Sequence, residues 1–98
     1  MRLATEQKKF IYEYWKAKSP LNQVYLFGSR VNDNQRGGDI DILVLTENKL
    51  HHSDLFTMKQ LFFSKFGNQK MDIVNLEKSQ DTAFKRYIMS YAKLLENE

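Results

Sequence analysis

Three aspartates, a glycine–serine pair and an arginine are the residues of this chain best placed to do chemistry. Asp39 and Asp41 alternate in Asp39-Ile40-Asp41, and Gly28-Ser29-Arg30 breaks off the apolar run Val24-Tyr25-Leu26-Phe27. Nine residues separate Ser29 from Asp39, and Asp72 stands alone in Met71-Asp72-Ile73-Val74. On a strand rising ~3.3 Å per residue, Asp39 and Asp41 are ~6.6 Å apart on one face, and a neighbouring strand brings Asp72 within ~5 Å. Such a set can share two cations ~3.5–4 Å apart, the separation that clamps the attacking and leaving oxygens of an in-line displacement. All-oxygen ligation favours Mg²⁺, with Mn²⁺ as the other candidate, and Mg²⁺ takes the rest of its shell from phosphates and water. Clustered carboxylates without a cation repel each other and raise one another's pKa. Arg30 or Arg36 is the protein's own alternative for that charge.

Gly28 allows close approach of backbone to a ligand, and Ser29 offers a hydroxyl and backbone N–H groups where a helix could start, an anion site by geometry and dipole. Arg30 adds a positive charge. In a purely structural reading, Ser29 is a helix cap and nothing more. Together the set reads as a grip on a metal-bound polyphosphate.

The elements that must position these residues follow from periodicity. Leu3, Gln7, Phe10, Ile11, Tyr14 and Trp15 recur at helical spacing, so residues 4–18 read as an amphipathic helix with Thr5 as N-cap and Ser19-Pro20 as its stop. Residues 22–27 read as a strand. The link to Gly38 has room for one or two helical turns but is too short for a parallel crossover, so the next strand, 39–45, should run antiparallel to the first. In that strand Asp39, Asp41, Leu43 and Leu45 face one way and Ile40, Ile42 and Val44 the other. After a loop at 46–51, Ser53 or Asp54 caps a helix with Leu55, Met58, Leu61, Phe62 and Phe66 inward, stopped by Gly67-Asn68. A strand at 70–75 completes a βαβ unit parallel to the second. Ser79 or Asp81 opens a last helix whose stripe is Ala83, Phe84, Tyr87, Ile88, Tyr91, Leu94 and Leu95. The expectation is an α/β fold with a mixed three-stranded sheet and four helices, in the order α-β-short α-β-α-β-α. It gathers Gly28, Ser29, Asp39, Asp41 and Asp72 at one end.

Ninety-eight residues, 42% hydrophobic and 28% charged, make a single domain over residues 1–98. No apolar run approaches the ~20 residues of a membrane span, Met1 to Thr5 has no signal-peptide pattern, and there is no cysteine, so a cytoplasmic location is expected. A net charge of +3 is too slight and too spread to indicate a nucleic-acid surface. The basic residues Lys78, Lys85, Arg86 and Lys93 read as a solvated helix face. His51 and His52 read as exposed loop residues.

Gly28-Ser29, the nine-residue link, Asp39-Ile40-Asp41 and Asp72 resemble, in that order, the minimal nucleotidyltransferase domains of the DNA polymerase beta-like superfamily. The resemblance spans nearly the whole chain. It implies transfer of a nucleoside monophosphate, AMP from ATP, to a hydroxyl with Mg²⁺. By that resemblance Asp39 and Asp41 bind both metals. Asp72 binds one and helps deprotonate the attacking hydroxyl, Gly28 and Ser29 hold the β- and γ-phosphates, and Arg30 assists. Domains this small look like the antitoxin partners of helical HEPN-domain toxins, which implies adenylylation of a toxin tyrosine or masking of the toxin by binding; self-association is also open. The link is shorter than is common in that family, and Gly38 stands where serine often precedes the first aspartate.

Overall fold

A computed structural model describes residues 3–28, 40–67 and 69–96. Helix α1 runs Thr5–Lys18 and buries Ile11 and Trp15, four residues apart on one face. Its N-cap is Ala4 rather than Thr5, and the Gln7 side chain accepts from the Ala4 N–H at 3.2 Å. Ser19 turns extended (φ −162°, ψ 129°), as the residue before a proline must, and the helix ends there. Buried Asn22 then ties the exit to the helix, its Nδ2 donating to the Trp15 carbonyl at 2.9 Å.

Strand β1 (Gln23–Phe27) pairs antiparallel with β2 (Ile40–Thr46), as the short link requires, and β2 pairs parallel with β3 (Met71–Glu77) across helix α2 (His52–Phe66). The alternation in β2 divides the interior. Ile40, Ile42 and Val44 join Ile11, Trp15, Val24, Leu26, Met58 and Phe62 in a core under α1 and α2, whereas Leu43 and Leu45 join Leu76 and Ile88 on the opposite face. The sheet is therefore covered on both sides, which explains the nearly unbroken apolar run of β2.

In α2, Met58 and Phe62 are buried while Leu55 and Phe66 pack at the margin. Leu61, expected inward, is exposed, because it falls on the far side of the stripe that Met58 and Phe62 define. His51 is the N-cap, and Asp54 in the first turn accepts from the His51 N–H at 3.2 Å, so the cap lies before both expected positions. Gly67, at φ 89°, provides the expected stop, its N–H donating to the Phe63 carbonyl at 2.8 Å. Asn68 lies outside the described residues.

The expected last helix is only half right. Helix α3 is short (Ala83–Met89), and its N-cap is Thr82, whose hydroxyl accepts from the Lys85 N–H at 3.1 Å, not Ser79 or Asp81. After it the chain turns extended and forms β4 (Lys93–Leu94), antiparallel to β1. The Leu95 N–H adds a bond of 2.8 Å to the Val24 carbonyl. The cause is the free side of β1: a central-looking strand with one unpaired edge leaves a row of backbone donors and acceptors that a strand satisfies and a helix does not. Ala92 and Leu95 go to opposite cores, while Phe84, Tyr87 and Leu94 of the expected stripe are exposed. Among the described residues the sheet therefore has four strands, in the order β3-β2-β1-β4, not three. Among the described residues there are three helices, not four, and the short helix expected within 29–38 falls outside them. Among the described residues no helix is long and apolar enough to cross a membrane.

Candidate active site

At the end of the sheet where β2 and β3 begin and β1 finishes, the pairing sets Phe27 opposite Asp41 and Asp41 opposite Asp72. Residues opposite each other on paired strands project to the same face, so both carboxylates stand on the face that α3 partly covers. Both are half-buried. Gly28 follows β1 at φ +74° and lies directly against the Asp41 carboxylate. A Cβ at this position would overlap the Asp41 Oδ2 and stand 3.0 Å from Cγ and 3.2 Å from Cβ. Glycine is required here twice over, by its backbone angle and by its neighbour.

Of the expected site residues, Gly28, Asp41 and Asp72 are thus brought together, while Ser29, Arg30 and Asp39 lie outside the described residues. Among the described residues no three acidic or imidazole side chains gather as a metal cage. Two like charges side by side on adjacent strands oppose sheet formation. What the strand pairing offers instead is a pair of hard oxygen donors next to a stretch of backbone with no side chain in the way. That donor set fits a divalent cation such as Mg²⁺, which completes its shell from phosphate oxygens and water.

Tyr91 is a neighbour of this site that the sequence pattern placed elsewhere. It lies in the turn after α3, its N–H donating to the Ile88 carbonyl at 3.1 Å, just before the strand that pairs Lys93 with Leu26 of β1. Its phenol is held above the usual 10.0, first by burial, then by Tyr87, whose ring centroid is 5.4 Å away, and then by the charge of Asp41. Reading residues 81–95 as one helix hid this position. With no glycine or proline after Met89, the pattern carries no stop.

The remaining polar candidates are used structurally. Lys85 Nζ donates to the carbonyls of Lys78 (2.7 Å) and Gln80 (2.9 Å), Arg86 pairs with Asp81 at 2.6 Å, and Lys78 reaches the Leu21 carbonyl and Glu47. These residues tie down the turn before α3 and do not form a basic stripe. His51 and His52 are exposed at the start of α2, beyond the far end of β2 from the carboxylates.

Two carboxylates and a glycine turn at the head of a mixed sheet make up the candidate site, and sequence comparison gives the chain a family. The family model described as "Polymerase beta, Nucleotidyltransferase" matches residues 9–98, and the chain belongs to that family. Comparison with curated proteins gives no match. Among solved structures it is similar to a chain of a toxin–antitoxin complex with AMP-PNP, at 27% identity and a TM-score of 0.71 over 93% of this chain and 73% of that one. It is also similar to a chain of the Shewanella oneidensis complex of a tri-AMPylated HEPN toxin with its MNT antitoxin (24% identity, TM-score 0.67, 95% and 71% covered). A third similar structure is the MntA–HepT toxin–antitoxin complex (23% identity, TM-score 0.67, 97% and 74% covered). The last two likenesses, at lower identity, show the fold.

Proposed function

We propose that this chain is an antitoxin that transfers AMP from ATP to a tyrosine of a HEPN-domain toxin. The observation that carries the reading is the Asp41–Asp72 pair beside Gly28, two carboxylates opposite each other on paired strands next to backbone that a ligand can approach, an arrangement that a divalent cation would favour. Asp41 and Asp72, with Asp39 from the same expected strand face, would hold two Mg²⁺ or Mn²⁺ ions. Bound there, such ions supply charge neutralisation at the phosphates and polarise the reacting oxygens. The backbone at Gly28 and Ser29 binds the β- and γ-phosphates, and Arg30 offsets their charge. Asp72 takes the proton of the attacking hydroxyl as its oxygen bonds to the α-phosphorus, and pyrophosphate leaves with the electrons of the broken P–O bond. Positioning and charge stabilisation are the protein's main contributions. A reaction that consumes ATP, in a chain without cysteine, fits the cytoplasm.

A second reading, neutralisation by binding without turnover, draws on the exposed apolar side chains Phe56, Leu61 and Phe63 of α2 and Phe84 and Tyr87 of α3. One experiment separates the two. The purified chain and the protein encoded beside its gene are incubated with ATP labelled at the α-phosphate and Mg²⁺. Label on the neighbour, lost with Asp41→Asn, supports transfer. Neutralisation that survives the substitution supports binding alone, and label on RNA instead of protein contradicts both.

A further inference from the structure

The strand order β3-β2-β1-β4 extends the candidate site sideways. Asp72 stands on β3, Asp41 on β2 and Gly28 at the end of β1, and β4 comes next. β4 starts at Lys93, opposite Leu26, and runs antiparallel to β1, so the chain enters it from the Gly28 end of the sheet. The turn before β4 therefore lies at that end, and it is tied to the close of α3 by the Ala92 N–H, which donates to the Ile88 carbonyl at 2.9 Å. Two tyrosines meet here. Tyr87 of α3 and Tyr91 of the turn pack edge to face, their ring centroids 5.4 Å apart and their planes at 64°. The helix that carries Tyr87 covers the face from which Asp41 and Asp72 project, with Ile88 in the core beneath it. The ring pairs of α1 and α2 lie on the opposite face. Tyr91 is half-buried and feels the charge of Asp41, whereas Tyr87 is 66% exposed. One ring is thus held by the fold and the other is open to solvent beside it, a surface on which a planar base can stack.

We propose that Tyr87, backed by Tyr91, is the platform on which the base of the nucleotide stacks, and that the site takes a purine nucleoside triphosphate whose base is held by ring contact. The proposal rests on the transferase reading for the place of the phosphates. With the α-phosphate at the carboxylate pair and the β- and γ-phosphates at the Gly28 turn, the nucleoside lies along the face that α3 covers, where this ring pair stands. A phenol ring responds to the area of a base and not to the hydrogen-bonding pattern of its edge. Purines, with two fused rings, therefore stack better than pyrimidines, and adenine and guanine are held alike.

The test is titration calorimetry of the full chain with Mg²⁺ and two ligands, inorganic tripolyphosphate and α,β-methylene-ATP, which cannot release pyrophosphate. Tyr87→Ala is expected to weaken the nucleotide analogue at least about tenfold and to leave tripolyphosphate as it was. Tyr87→Phe, which keeps the ring, is expected to bind the analogue like the native chain. Leu21→Ala, an exposed apolar change at the opposite end of β1, is expected to alter neither ligand. Melting curves establish that each variant folds. The uridine analogue is expected to bind more weakly than the adenosine one. Equal losses of both ligands in Tyr87→Ala, no loss of either, a loss in Tyr87→Phe as large as in Tyr87→Ala, or equal binding of the uridine and adenosine analogues overturns the platform. The native chain separates this failure from that of the reading beneath it. Tripolyphosphate bound as tightly as the nucleotide removes the platform alone, and failure to bind either ligand removes both. Nucleotide binding that needs the Tyr87 ring, with no label passed from ATP to the neighbouring protein, keeps the platform and removes the transferase reading.

Discussion

Gly28 is the residue through which the site is most sharply testable. Alanine at φ +74° costs about 1–2 kcal/mol in backbone conformation alone, and its methyl displaces the Asp41 carboxylate. Gly28→Ala should therefore lower the melting temperature by roughly 5 °C or more, and AMP transfer should fall much further than stability does. Differential scanning calorimetry and the labelling assay check the two halves. Tyr91 contributes to the alkaline pH dependence. Because its folded pKa is raised, the phenol stays neutral in the native chain while the unfolded chain ionises near 10.0. The stability it contributes is complete below that pH and is lost as pH rises through the folded value. Tyr91→Phe should flatten the alkaline fall, seen as urea midpoints at about pH 9 and about pH 11 that lie closer together than in the native chain. Gly28, Asp41 and Asp72 were legible in the sequence because turn chemistry and two-residue alternation are local rules. Tyr91 was not, because the chain around it is drawn toward the site by the β4–β1 pairing that follows it, between residues more than sixty positions apart in the chain.

At the scale of elements, α1, β1, β2, α2 and β3 followed from periodicity, and the antiparallel and parallel pairings followed from the lengths of the links between them. What failed was the stretch after Met89. Its apolar residues suit a helix locally, and the open edge of β1, a tertiary fact, draws them into β4. The two structures make opposite forecasts for adjacent leucines. As part of a helical stripe, Leu94 and Leu95 would matter alike. In the sheet, Leu95 is 1% exposed and Leu94 39% exposed, so Leu95→Ala should cost about 2–5 kcal/mol and Leu94→Ala under about 1 kcal/mol by denaturant titration. Asn75 of β3 holds the opposite end of the sheet. Its amide donates to the Val44 carbonyl and the Thr46 hydroxyl, each at 3.0 Å, and accepts from the Leu50 N–H at 2.7 Å. Asn75→Ala should cost about 1–3 kcal/mol.

For the whole molecule, family membership and the shape of the sheet agree with the same chemistry, and that chemistry has a thermodynamic signature. Two aspartates set opposite each other on adjacent strands repel. Asp41→Asn should leave the melting temperature unchanged or raise it, while AMP transfer falls by at least about a hundredfold. A parallel loss of both would mean that Asp41 is structural. The sheet also splits the interior unequally. Among the described residues, eleven buried ones form the core behind it and four form the core under α3, the face from which Asp41 and Asp72 project. Among the described residues the back is thus more heavily packed than the front. Seven-residue α3, anchored by Ile88 alone among its fully buried side chains, is the panel that should breathe first. In deuterium its amides should exchange well before those of α1, and a partner gripping that front would be felt there as slowed exchange long before any change reached the back.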